Sequence, residues 1–189
     1  DSDEADNALR ANIIMLLGLL KLMIPDLTVA EQSDLDFAIN NVYQRHGITH
    51  DPGTHQLQPP TMTDLYNELI EMGNNGPNIA SRLRRYVEGT FSGIFSQLSN
   101  VDMNGNFVVF NIRDLEDELR PVAMYIVLNF IWNKVKISRQ KRLLVVDEAW
   151  IMMRYPDSAN FMFSLAKRAR KYNLGLTTIT QDVEDFLNT

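Results

Sequence analysis

The stretch of this sequence best suited to chemistry is Leu143-Leu144-Val145-Val146-Asp147-Glu148-Ala149-Trp150, an apolar run followed by two adjacent carboxylates. A short continuous apolar run is the pattern of a buried strand, and its end delivers both acids into a crevice. An aspartate placed there holds Mg²⁺, usually through water, because the ion keeps part of its hydration shell. A glutamate beside it can orient and polarise a water for attack on a terminal phosphate. The competing reading is an Asp-Glu pair that merely caps the following helix, where negative charge is favourable.

Gln181 follows a threonine-rich run, Thr178-Ile179-Thr180. Its amide can sense a terminal phosphate or help to hold a water; the plainer reading is a helix-start residue ahead of Asp182. Arg168, Arg170 and Lys171 form a basic cluster at a helix end. Cations there suit the helix dipole, and the alternative is a cation that reaches a neighbouring subunit's nucleotide. The carboxylate pair matches the Walker B arrangement, yet no G-x-x-x-x-G-K-[ST] motif occurs in these residues. Gly89-Thr90-Phe91-Ser92-Gly93 lacks the following lysine. His46, His50 and His55, with Asp51, lie among Gly47, Pro52 and Gly53, which break any regular metal-ligand spacing; they read as a solvated loop.

The elements that must position these groups fall into two regions. Residues 6–23 place Leu9, Ile13, Leu16, Leu17 and Leu20 on one helical face, and Pro25 ends it. Thr28 with Glu31 three residues on forms a capping box that opens a second helix to about residue 45. A loop spans 47–60, Thr61 or Thr63 caps a third helix to residue 72, and Gly73-Asn74-Asn75-Gly76-Pro77 breaks the chain before a fourth over 78–88. Residues 1–95 therefore read as an all-helical subdomain. From residue 96 the pattern becomes α/β. A turn at Asn104-Gly105-Asn106 precedes an apolar run over 107–110; a helix over 119–137, the run over 143–146, a helix over 157–172 and a run over 176–180 follow. Strands alternating with helices predict a parallel sheet covered on both faces, with ligands beyond the strands' carboxyl ends. The strands end at Asn111 and Arg113, at Asp147 and Glu148, and at Gln181.

Hydrophobic residues at 45% and charged residues at 22% fit an ordinary soluble globular chain rather than a disordered one. A formal net charge of -6 argues against a chain-wide electrostatic grip on nucleic acid. The lack of cysteine excludes disulfides and thiolate metal sites. The acidic start, Asp1-Ser2-Asp3-Glu4, does not fit a signal peptide, and the apolar stretches 13–24 and 121–132 are too short to span a membrane.

Phe107-Val108-Val109-Phe110-Asn111-Ile112-Arg113-Asp114-Leu115, the stretch from Leu119 to Leu128, the Asp147-Glu148-Ala149-Trp150 motif, Leu165-Ala166-Lys167-Arg168-Ala169-Arg170-Lys171-Tyr172, and the stretch from Gly175 to Leu187 together resemble the VirB4 family, called TraC or TrbE in some conjugation systems. The resemblance spans most of the chain. It implies a motor ATPase of type IV secretion, with a partial RecA-like core of the FtsK and HerA class, over residues 96–189, and an all-helical inserted subdomain over residues 1–95. By position, Asp147 would serve Mg²⁺, Glu148 would activate water, and Gln181 would contact the phosphate region. Arg170 and Lys171 lie in the stretch that resembles the family's arginine-containing motif, which implies that one of the two acts there.

ATP and Mg²⁺ are the implied cofactors of the complete protein. The implied partners are other secretion components, further copies in a hexamer, and DNA, with peripheral attachment at the cytoplasmic face of the inner membrane. The family's phosphate-binding loop lies upstream of the helical insertion, and further core strands follow the glutamine motif. The expectation is thus a C-terminal motor fragment, inactive alone and with no nucleotide bound. A DNA-translocating ATPase of the HerA or FtsK type, and a non-catalytic helical interaction module, are the alternatives.

Overall fold

The computed structural model describes residues 2–96, 105–137 and 140–181. The turn residue Asn104 and the stretch from Asp182 to Leu187 lie outside them. The chain divides into two compact units, residues 1–106 and 107–189.

The first unit is helical: α1 (Ser2–Met23), α2 (Val29–Arg45), α3 (Met62–Met72), α4 (Gly76–Val87) and a short α5 (Ser92–Phe95), with a 3-10 turn at Pro52–Gln56. Leu9, Ile13 and Leu20 are buried as the spacing predicts, and Leu35, Leu69, Ile79 and Leu83 complete the core. The Thr28 capping box forms: Glu31 N–H donates to Thr28 Oγ1 at 3.2 Å, and Thr28 N–H donates to a Glu31 carboxylate oxygen at 2.8 Å. Thr61 rather than Thr63 caps α3, in the same reciprocal arrangement with Asp64. Gly76 is required where α4 begins, because a Cβ there would lie 2.2 Å from the Leu69 carbonyl oxygen.

Glu31 also ties α2 to α4. It accepts from Asn78 Nδ2 at 2.7 Å and lies 3.6 Å from the Arg82 guanidinium. Its carboxyl is held below the ordinary 4.5, first by the Thr28 backbone N–H. Asp64 is held below 3.8, first by the Thr61 backbone N–H. A depressed folded value means that the unfolded chain binds more protons as the solution turns acid. The stabilisation is therefore complete above the ordinary values and disappears as pH falls through the folded ones. Melting temperature followed by circular dichroism from pH 7 to pH 3 is expected to fall below about pH 4.5, the ordinary value for Glu31. Glu31→Gln should lower stability at neutral pH and flatten that acid limb; an unchanged profile would contradict this assignment.

The second unit holds α6 (Arg120–Ile137), β1 (Arg142–Val146), a short α7 (Trp150–Met153), α8 (Pro156–Ala169), a 3-10 turn (Arg170–Tyr172) and β2 (Leu174–Thr178). The strands pair in parallel, Arg142 opposite Leu174 and Val146 opposite Thr178. Trp132 and Val135 of α6, Leu165 and Ala169 of α8, and Leu174 form a core against which Leu144 and Leu176 pack.

Two expectations are corrected. Residues 107–110 are not a strand, with Phe107 86% exposed. Their apolar character matches a buried strand, but a strand also needs a neighbour to pair its backbone, and the sheet among the described residues is β1 and β2 alone. Among the described residues, the sheet is also not covered on both faces. The helices cover the face bearing Leu144, while Leu143 and Val145 on the opposite face are 71% and 51% exposed.

Candidate functional site

The parallel register brings the carboxyl ends of β1 and β2 level. Pairing continues past both. Ile179 N–H donates to the Val146 carbonyl at 2.8 Å, and Ala149 N–H donates to the Ile179 carbonyl at 3.0 Å. Between these two bonds, Asp147 and Glu148 stand out of the ladder. Glu148 turns through φ 52°, a left-handed conformation that costs a residue with a Cβ about 1–2 kcal/mol. Asp147 Oδ1 steadies that turn by accepting the Glu148 N–H at 2.9 Å.

The turn presents the Glu148 carboxylate to two donors. Gln181 Nε2 donates to Oε1 at 2.9 Å, and the Trp150 indole N–H donates to Oε2. Arg154 lies over the Trp150 ring, its guanidinium carbon 4.1 Å from the centroid. Asp147 and Gln181 are exposed, and Glu148 and Trp150 are half-buried. The structure therefore assembles Asp147, Glu148 and Gln181 at one end of the sheet.

Other sequence-selected residues lie elsewhere. Arg170 and Lys171 occupy the 3-10 turn that leads into the amino end of β2. The four steps between the ends of that five-residue strand, at about 3.3 Å each, separate them by about 13 Å. Lys171 Nζ lies 5.9 Å from the Tyr172 ring centroid. Arg168 lies near Lys136, whose ammonium is pushed below its ordinary value by burial and then by that guanidinium. Asn111 and Arg113 form a turn of their own, with Arg113 N–H on Asn111 Oδ1 at 3.0 Å.

Among the described residues, no group of three or more His, Cys, Asp or Glu side chains is arranged to hold a metal ion. His46 Nε2 lies 3.6 Å from an Asp64 oxygen, and His55 Nε2 is 2.9 Å from the Thr49 carbonyl. A lone exposed carboxylate such as Asp147 instead suits an ion that keeps most of its ligands as water and phosphate oxygen, as Mg²⁺ does.

Trp150 and Arg154 are the members of this end that sequence reasoning missed. The motif places an indole two residues after Glu148, but only the left-handed turn at Glu148 brings its N–H back to the carboxylate.

Residues 70–189 match the TraG P-loop domain. The chain belongs to this family. It is also similar to VirB4 of Thermoanaerobacter pseudethanolicus, with a TM-score of 0.85 at 32% identity over 95% of this chain and 51% of that one. The DNA import protein CedB of Sulfolobus acidocaldarius is 39% identical over 83 residues, covering 40% of this chain and 14% of that protein. This TraG-type chain thus spans about half of its solved relative and a smaller share of its curated one. The likeness to VirB4 read from the sequence extends to the backbone, and the fold is helical with a small parallel sheet. No helix among the described residues is long and apolar enough to cross a membrane.

Proposed function

We propose that this chain is the water-activating and Mg²⁺-holding part of an ATP-hydrolysing motor that energises type IV secretion or conjugative DNA transfer. The observation that carries this reading is the joined end of the sheet, where Glu148 receives Gln181 Nε2 at 2.9 Å beside Asp147. A structural capping pair would need no strand-crossing partner 33 residues away. Mg²⁺ bound with ATP would neutralise charge on the phosphate oxygens. Asp147 would hold that ion through its water shell. Glu148 would accept the proton of the attacking water on Oε1, and Gln181 would hold the water or the phosphate beside it.

Family likeness supports the wider reading. The sheet is part of a RecA-like core of the FtsK and HerA class, over residues 96–189, and residues 1–95 are a helical subdomain inserted in it. One of Arg170 and Lys171, at the far end of β2, would serve a neighbouring copy in a hexamer rather than its own Glu148. The working protein joins other secretion components at the cytoplasmic face of the inner membrane. The similarity to a DNA import protein favours DNA as what is moved. A DNA-translocating ATPase of the HerA or FtsK type would show turnover stimulated by DNA.

The 189 residues of the chain contain no phosphate-binding loop motif. Without a backbone cradle and its lysine, Asp147 and Glu148 have no positioned phosphate to act on. The test is Mg²⁺-dependent ATP turnover. None is expected from these 189 residues alone, and turnover is expected from a longer polypeptide that supplies the loop.

A further inference from the structure

Both oxygens of the Glu148 carboxylate have donors, and the two donors are held very differently. Gln181 is exposed and follows the end of β2. Trp150 is half-buried and opens α7, between fully buried Ala149 and Met152. Ala149 is itself fixed by its N–H bond to the Ile179 carbonyl at 3.0 Å. The Arg154 guanidinium covers the indole ring at 4.1 Å, which limits its rotation.

We propose that Trp150 is a positioning residue that fixes Glu148 Oε2, leaving Oε1 as the oxygen that handles water. An indole N–H donates and cannot accept, so it neither takes up the proton nor competes for it. A glutamate side chain is long and rotatable, and Glu148 stands outside the strand ladder. One anchored oxygen removes most of that freedom before a substrate arrives, and small displacements of a general base are costly to rate. Gln181, exposed and on the other oxygen, is the donor that can turn toward a water or a phosphate while the Trp150 bond persists. This inference rests on the reading of Glu148 as the water-activating residue, and its test does not use turnover.

The chain has two tryptophans, Trp150 and the core residue Trp132, so nitrogen-15 labelling yields two indole N–H resonances. In Glu148→Ala the Trp150 indole resonance is expected to move upfield and its exchange with water to quicken about tenfold, as for loss of a charge-assisted bond. The Trp132 resonance should stay in place and report an intact fold. Gln181→Ala should leave the Trp150 resonance near its wild-type position, because that change touches Oε1. A Trp150 resonance unmoved by Glu148→Ala would overturn the proposal. So would equal movement in Glu148→Ala and Gln181→Ala, which would mean that the two oxygens are not distinguished. Failure of the ATPase reading is separately visible: a loop-bearing polypeptide with Glu148→Gln would keep its turnover whatever the indole signal does.

Discussion

Glu148→Gln, made in a polypeptide that supplies the phosphate-binding loop, is expected to lower kcat by about 10²–10⁴-fold, the usual worth of a positioned general base. That corresponds to about 3–5 kcal/mol of lost transition-state stabilisation. Glutamine has nearly the same shape as glutamate, and its amide oxygen still accepts one of the two hydrogen bonds from Gln181 and Trp150. The fold around β1 should therefore survive, since buried Val146 and Ala149 are untouched. What disappears is the carboxylate proposed to take the water's proton. Steady-state kinetics together with nucleotide binding check this: kcat should fall while ATP affinity stays close to wild type. A raised KM with unchanged kcat would instead mean that Glu148 contributes only to uniform binding.

Asp147 carries the second large effect. Its replacement should raise the Mg²⁺ concentration needed for half-maximal turnover by about 10–100-fold, the range seen when support for a bound metal is lost. Beside its proposed role at the ion, Asp147 accepts the Glu148 N–H on Oδ1 at 2.9 Å and steadies the left-handed turn. Two variants separate the roles. Asp147→Asn keeps an oxygen for that N–H and removes the charge, whereas Asp147→Ala removes both. If the ion depends on the charge, both variants shift the Mg²⁺ titration. If only the alanine variant loses activity, Asp147 is a turn residue and the assignment to Mg²⁺ is wrong.

The parts of this molecule legible in its sequence are those governed by neighbours along the chain. Thr28 and Glu31 lie three apart, so their capping box follows from local geometry alone. Asp147 and Glu148 follow an apolar run, so their position at a strand end is readable in the same way. Gln181 is different. Its bond to Glu148 spans 33 residues and depends on β2 lying parallel to β1 in a register that levels their ends. The alternation of strands and helices makes parallel pairing readable; the register it leaves open.

The misreadings have a physical cause as well. The apolar run over 107–110 satisfies the composition of a strand, yet strand formation depends on a partner that composition does not reveal. Leu143 and Val145 likewise read as residues of a sheet buried on both sides, while they stand 71% and 51% exposed. The bond from Trp150 to Glu148 is hidden for a third reason. Residues two apart do not face each other in a regular helix, and φ 52° at Glu148 breaks that rule locally.

We propose that these residues complete an ATPase site together with a phosphate cradle that the 189 residues do not themselves contain. Mg²⁺-dependent phosphate release, measured on the 189-residue chain and on a loop-bearing polypeptide at equal concentrations, tests it most directly. The expected result is no turnover from the chain alone, turnover from the longer polypeptide, and loss of that turnover in Glu148→Gln. Turnover by the chain alone that vanishes in Glu148→Gln would contradict the need for a separate phosphate cradle. Undiminished turnover by the longer Glu148→Gln polypeptide would contradict the site itself.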